Sequence, residues 1–158
     1  MPVVFYAPPT DGYVVDPFRP PAHPGAPGNR GLEYATRAGS AVRAAAAGIV
    51  TFAGQVGSGR HVTVAHADGV RTSYSFLAGV AVRAGQSVGA GDVLGTTGAS
   101  FHFGARIGGA YVDPAVLLGI GGRARLVPMA DRRVTGWFRA GGPPWRRTAR
   151  GLGEPAHR

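Results

Sequence analysis

The residues that could perform chemistry cluster in one candidate strand, Ser100–Ile107, in which polar or small residues alternate with apolar ones. Side chains alternate between the two faces of a strand. One face would therefore carry Ser100, His102, Gly104 and Arg106. The apolar residues between them, with Ile107, would face the core. An imidazole can bind a metal or transfer protons near neutral pH, and the absence of cysteine restricts any metal to nitrogen and oxygen ligands.

The other histidines have different settings along the chain. His66 stands just before Asp68-Gly69, where a tight turn is expected, so we assign it a local structural role. His61 lies in the β-prone run before that turn and is expected at the surface or at a rim. His23 lies in a proline-rich segment and could reach a site only through a special bend of the chain.

Short β-prone runs separated by glycine dominate residues 31–118. They include AGIVTFA (47–53), RHVTVAH (60–66) and VRTSYSFL (70–77). Asp-Gly between the last two is a strong hairpin signal. The segment SAVRAAAA (40–47) has high helix propensity, but it is shorter than a stable isolated helix and is expected to join a strand pair. Together these runs predict an all-β fold.

Residues 82–95 (VRAGQSVGAGDVLG) predict a compact unit of two short strands and two glycine turns. Such hammerhead-like units also occur in lipoyl and biotinyl carriers. A carrier needs a lysine to attach its cofactor, and this chain contains none, so the carrier class is excluded.

Both ends of the chain differ from this body. Residues 1–28 are rich in proline and glycine and predict an extended arm. Residues 119–158 form an Arg-rich extension that we expect to be partly disordered; from residue 123 onward nine arginines accompany two acidic residues. This extension could contact an anionic polymer by charge. No apolar run predicts a transmembrane segment, and no signal peptide is visible.

The order and spacing of these motifs resemble the LytM/lysostaphin family of zinc endopeptidases, which cut peptide cross-links in bacterial peptidoglycan. Asn29–Ala35 (NRGLEYA) stands where the family has His-x-Gly-x-Asp and an apolar residue. Residues 62–77 and 82–95 match two further family patterns. Ser100–Arg106 (SFHFGAR), followed by Asp113-Pro114, stands where the family has His-Leu-His-Phe-Glu-x-Arg and Asp-Pro. The resemblance covers residues 29–118.

The resemblance implies where zinc and its helpers would lie. The family's three zinc ligands correspond to Asn29, Glu33 and His102, of which only His102 is unchanged. A neutral amide is a weaker zinc ligand than imidazole, and the longer side chain of Glu33 displaces the carboxylate. The family histidines that assist the zinc-bound water correspond to Ser100 and Phe76, which cannot exchange protons near neutral pH.

The implied fold is an antiparallel β-sheet groove closed by a hammerhead-like (barrel-sandwich hybrid) unit, with Arg106 and Tyr74 lining the groove. The implied function is that of a pseudoenzyme. Such a domain binds peptidoglycan or regulates a cell-wall hydrolase outside the cytoplasm, with no cofactor expected. One alternative is an active zinc endopeptidase with a site rebuilt around Glu33 and His102. A less favoured alternative is a basic nucleic-acid binder.

Overall fold

The computed structural model describes residues 2–120 and contains nine strands and one short helix in that range. The elements are β1 (Tyr13–Asp16), β2 (Gly31–Ala35), β3 (Ala41–Arg43), β4 (Gly48–Val56), β5 (Gly59–Ala65), β6 (Val70–Val80), β7 (Ser87–Val88), β8 (Val93–Ile107), β9 (Ala110–Val112) and α1 (Pro114–Leu117). The predicted all-β fold is confirmed. No helix among these residues is long and apolar enough to cross a membrane.

All nine strands belong to one antiparallel sheet in which the long strand β8 is central. The main order is β1-β2-β8-β6-β5-β4-β7, and β3 and β9 also pair with β8. The first half of β8 pairs with β3, and its second half pairs with β2 and then β9. Strand β6 accompanies β8 along most of its length. One strand therefore connects the hammerhead-like unit to the face that carries His102.

Alternation along β6 and β8 separates a packed core from an open face. In β8, Phe101, Phe103 and Ala105 are buried, whereas His102 and Arg106 are partly exposed. The largest core residues include Tyr74, Phe101, Phe103, Leu32, Leu94, Val42, Val50, Val62 and Val64. The predicted burial does not extend to Ile107, which is the last residue of β8 and is exposed.

Turns form where the sequence indicates them. Gly69 has a φ of 89°, which glycine adopts without strain, and the carboxylate of Asp68 accepts a hydrogen bond from the Val70 N–H (3.1 Å). These two residues therefore form the turn in the four-residue connection (66–69) between β5 and β6. In the hammerhead-like unit, Gly85 and Gly91 also have positive φ and reverse the chain around β7.

The proline-rich arm and the 40–47 segment are more ordered than their sequences suggest. Strand β1 pairs with β2, and Tyr6, Val14 and Phe18 pack against the core. Within the 40–47 segment only Ala41–Arg43 is a strand, and Ala44–Ala46 continues as a buried loop. The Arg-rich extension beyond residue 120, with its predicted disorder, lies outside the described residues.

Candidate functional site

The open face of the sheet forms a cleft of about 700 Å³. Its floor contains a row of side chains on four neighbouring strands. Glu33 of β2 is the cross-strand partner of His102 of β8, Ser75 of β6 is the partner of His102 on the other side, and His61 of β5 is the partner of Ser75. Directly opposed residues share a face of the sheet. Residues distant in sequence thus form one line across the cleft.

Glu33 and His102 form the shortest side-chain contact in this row. Nδ1 of His102 lies 2.6 Å from Oε1 of Glu33. An ionised carboxylate can only accept a hydrogen bond, so Nδ1 carries a proton, and in a neutral imidazole Nε2 keeps its lone pair. Nε2 lies against Gly31, where an added Cβ would approach it to 2.5 Å. Gly31 therefore makes space for this ring orientation.

Asn29, which the resemblance places at the first ligand position, connects the arm to the sheet. Its amide nitrogen donates to the carbonyls of Asp16 (3.2 Å) and Pro17 (3.0 Å), and its Oδ1 accepts from the Gly31 N–H (3.3 Å). Its backbone also exchanges two hydrogen bonds with Arg19 (2.7 and 2.9 Å). The buried Asn29 side chain is therefore occupied by internal hydrogen bonds.

These three residues do not fit a zinc site as they are arranged. A hydrolytic zinc site takes three protein ligands, with bonds of about 2.0–2.2 Å to nitrogen and oxygen. Two tetrahedral ligands at such distances stand more than 3 Å apart, whereas Glu33 and His102 are in direct hydrogen-bond contact. The oxygen of Asn29 faces a backbone N–H. Within residues 2–120, no group of three or more His, Cys, Asp or Glu side chains could hold a metal ion.

Phe76, which the resemblance places at a position for a proton-transfer histidine, is exposed in the cleft because of a β-bulge. Its φ is 65°, and the register between β6 and β8 shifts between Ser75 and Leu77. The bulge turns Phe76 outward and Leu77 inward. Positive φ is unfavourable for an aromatic residue, and such strain concentrates at functional sites. The ring meets His61 edge-on at 5.6 Å.

Two predicted positions do not belong to the cleft. Tyr74, which we expected to line it, is fully buried on the opposite face of β6, where its ring packs against Phe103. Its neighbours Ser73 and Ser75 line the cleft instead, because side chains alternate along the strand. Ser100 is exposed but is not among the residues that line the cleft. Arg106 does line it, together with Arg30 and Tyr111.

His66 lies in a buried hydrogen-bond chain away from the cleft. Its Nδ1 is 2.8 Å from the Ala47 carbonyl, and its Nε2 is 2.7 Å from the Thr72 hydroxyl. That hydroxyl lies 2.9 Å from the hydroxyl of Tyr74, which accepts from the Ala45 N–H (2.9 Å). Every group is satisfied when Nδ1 donates, Nε2 accepts from Thr72, and Tyr74 donates to Thr72. Burial raises the pKa of Tyr74 to about 12.

Comparison with known proteins identifies the family. The model of Peptidase family M23 matches residues 27–114, which include Asn29, Glu33 and His102. The chain belongs to peptidase family M23. The M23 domain is similar to the DD-carboxypeptidase/endopeptidase Mpg of Neisseria meningitidis, with 40% identity over 91 residues. That match covers 53% of this chain and 21% of Mpg, so the chain spans about a fifth of that relative.

Two further relatives extend the comparison. The murein hydrolase activator NlpD of Salmonella typhimurium is 36% identical over 114 residues, covering 67% of this chain and 29% of NlpD. The structure of Helicobacter pylori Csd3 has a TM-score of 0.62 at 26% identity and covers 73% of this chain and 33% of that one. Lysostaphin has the same TM-score at 21% identity, covering 73% and 55%. The LytM-type fold is thereby confirmed.

Proposed function

We propose that this M23 domain binds bacterial peptidoglycan in its cleft without cleaving it, and acts in the cell envelope, where peptidoglycan is found. The observation that supports the proposal most is the hydrogen bond between Glu33 and His102, because the residues at two family ligand positions bind each other. Asn29 is occupied by the arm. Hydrolysis by zinc needs three ligands, an open position for water and a group that moves protons.

The lining of the cleft suits a binding function. Phe52, Phe76 and Tyr111 expose aromatic surface in the cleft, and Glu33 and His102 add polar groups to the same lining. Binding sites commonly combine apolar surface with a few fixed polar groups that orient the ligand. Exposed aromatic rings provide large contact area at low entropic cost. A polymer of sugars and short peptides offers both apolar faces and hydrogen-bonding groups to such a surface.

Similarity to NlpD favours a second candidate function, the regulation of a cell-wall hydrolase. NlpD is by name a murein hydrolase activator, and its match covers two thirds of this chain. In that case the cleft would receive a segment of the hydrolase in place of wall material. Purified components can separate the two candidate functions. Wall binding needs no second protein, whereas regulation needs the hydrolase.

A cosedimentation assay with purified peptidoglycan tests the proposal. We expect the wild-type protein to pellet with the wall material and to release no soluble fragments, with or without a chelator. Phe76→Ala should weaken binding about tenfold, because one aromatic contact contributes on the order of 1–2 kcal/mol. Tyr13→Ala is the matched control, since Tyr13 is an exposed aromatic residue outside the cleft.

Three outcomes would decide between the candidates. Equal losses of binding in Phe76→Ala and Tyr13→Ala would remove the cleft from the proposal. No wall binding, together with increased activity of an added wall hydrolase, would favour the regulatory candidate. Release of wall fragments that stops with a chelator and in His102→Ala would establish the zinc endopeptidase alternative instead.

A further inference from the structure

Two arginines, Arg30 and Arg106, line the cleft where β8 pairs with β6 and β9, and a third, Arg71, lies beside Arg106 on the same face of the sheet. Arg106 of β8 is the cross-strand partner of Arg71 in β6 and of Tyr111 in β9. Opposed residues share a face, and β8 alternation places Arg106 on the cleft face with His102. Arg30, just before β2, also lines the cleft and lies near Tyr111.

Tyr111 holds two of these side chains in place. The guanidinium carbons of Arg30 and Arg106 each lie 5.7 Å from the centre of the Tyr111 ring. A guanidinium at this distance is attracted to the face of an aromatic ring, and the contact limits the freedom of a long side chain. Tyr111 itself is about half exposed. The ring therefore preorganises two guanidinium groups beside an open cleft.

Among residues 2–120, no acidic side chain forms an ion pair with this cluster. The ion pairs within residues 2–120 are Arg19 with Asp16 and His102 with Glu33, so no carboxylate there pairs with Arg30, Arg71 or Arg106. Asp113, just after β9, uses its carboxylate to cap α1 through the Ala115 N–H (2.9 Å). Like charges directly opposite each other, as in Arg71 and Arg106, destabilise a sheet.

We propose that this arginine cluster binds the free carboxylate of a peptide that lies along the cleft. A guanidinium presents two parallel N–H donors that match a carboxylate. A strand rises about 3.3 Å per residue, so Arg106 stands about 13 Å from His102, four residues away. An extended peptide of about four residues spans that distance. Its carboxylate would meet the arginine cluster while its other end lies over Glu33 and His102.

This inference rests on the proposed binding of peptidoglycan and names the part of the polymer that is recognised, the stem peptide. It is tested with a synthetic four-residue stem peptide prepared as the free acid and as the C-terminal amide. Binding of each to the full chain is measured by titration calorimetry. We expect the acid to bind about tenfold more tightly or better, because hydrogen bonds to charged groups are the stronger class.

The arginine variants locate the effect. In Arg106→Gln the preference for the acid should fall to near one, and in Arg71→Gln, an exposed position that tolerates substitution, it should fall several-fold. Arg83→Gln is the matched control, because Arg83 is exposed in the hammerhead-like unit and does not line the cleft. It should keep the full preference. Thermal melts verify that each variant is folded.

Several results would overturn the inference. Equal binding of acid and amide to the wild-type protein would exclude a carboxylate subsite, and if Phe76→Ala still weakens wall binding, the proposed function would survive that failure. Loss of the preference for the free acid in Arg83→Gln would show that this preference comes from the overall charge of the protein. Competition by inorganic phosphate well below the concentration at which acetate competes would assign the cluster to a phosphate ligand. Absence of binding by either peptide would also refute the subsite.

Discussion

Asn29, which the family resemblance places at a zinc-ligand position, offers the sharpest test of how that position is used in this fold. Its amide nitrogen donates two hydrogen bonds to arm carbonyls, and its oxygen accepts one from Gly31. Asn29→Ala removes all three. Asn29→Asp keeps the acceptor but places a carboxylate oxygen against the carbonyls of Asp16 and Pro17. The two variants therefore separate the loss of contacts from the introduction of repulsion.

The magnitudes follow from the number and kind of contacts. A net hydrogen bond contributes about 0.5–1.5 kcal/mol, so Asn29→Ala should reduce the free energy of unfolding by about 2–3 kcal/mol. Asn29 is 7% exposed, and burying an unpaired charge is more unfavourable than losing a neutral contact. Asn29→Asp should therefore be at least as destabilising at neutral pH, although it is nearly isosteric with the native side chain.

Urea unfolding at neutral pH measures both changes, with Val3→Ala as the control. Val3 is an exposed arm residue, and its substitution should change the free energy of unfolding by no more than about 0.5 kcal/mol. Chymotrypsin should also cut after Phe18 faster in both Asn29 variants, because the arm is held less firmly. The reasoning is refuted if Asn29→Asp is more stable than Asn29→Ala, or if Asn29→Ala matches Val3→Ala.

The remaining predictions concern buried polar groups. Thr72→Val should lower the free energy of unfolding by about 2 kcal/mol or more in urea titrations, because it leaves groups of His66 and Tyr74 unsatisfied; a neutral result would contradict the hydrogen-bond chain. Tyr34→Phe should be neutral or stabilising, since the buried Tyr34 hydroxyl has no hydrogen-bond partner in residues 2–120, whereas Tyr74→Phe should destabilise. Burial raises the pKa of Tyr34 and of Tyr74 from 10.0 to about 12. The folded state thus binds these protons more tightly than the unfolded state. The contribution of these two protonated tyrosines to the free energy of unfolding should be fully present below pH 10.0 and be lost as the pH rises through about 12. Urea unfolding from pH 8 to 12 should show a shallower decline of the free energy of unfolding in Tyr34→Phe than in the wild type. An equally steep decline would contradict a raised pKa of Tyr34.

Much of the fold could be predicted because its signals are local. The Asp68-Gly69 turn and the alternation of Ser100–Ile107 are short-range patterns, and they place a hairpin and the core face correctly. The arm was harder to predict, because proline discourages regular pairing in general. Its strand β1 exists through pairing with β2, and Asn29 adds contacts from a distant part of the sequence. Such contacts leave no local pattern.

The site could be predicted only in part, for similar reasons. His102 and Arg106 follow from strand alternation, but the same rule, applied to β6, would have placed Tyr74 in the core. A signal for His61 was present in the hairpin. His61 and Ser75 are equally far from Asp68 along the chain, so a hairpin centred on Asp68 pairs them across the two strands. The bulge at Phe76 has no sequence signal of its own, because an aromatic residue at positive φ goes against propensity.

The central proposal is that the residues at the family's zinc-ligand positions are occupied by hydrogen bonds within the protein. The most direct test is the zinc content of the purified full chain, measured by elemental analysis after dialysis against buffer containing a slight excess of zinc. The account predicts much less than one zinc per chain, with no difference between the wild type and His102→Ala. One zinc per wild-type chain that is lost in both His102→Ala and Glu33→Ala would contradict it.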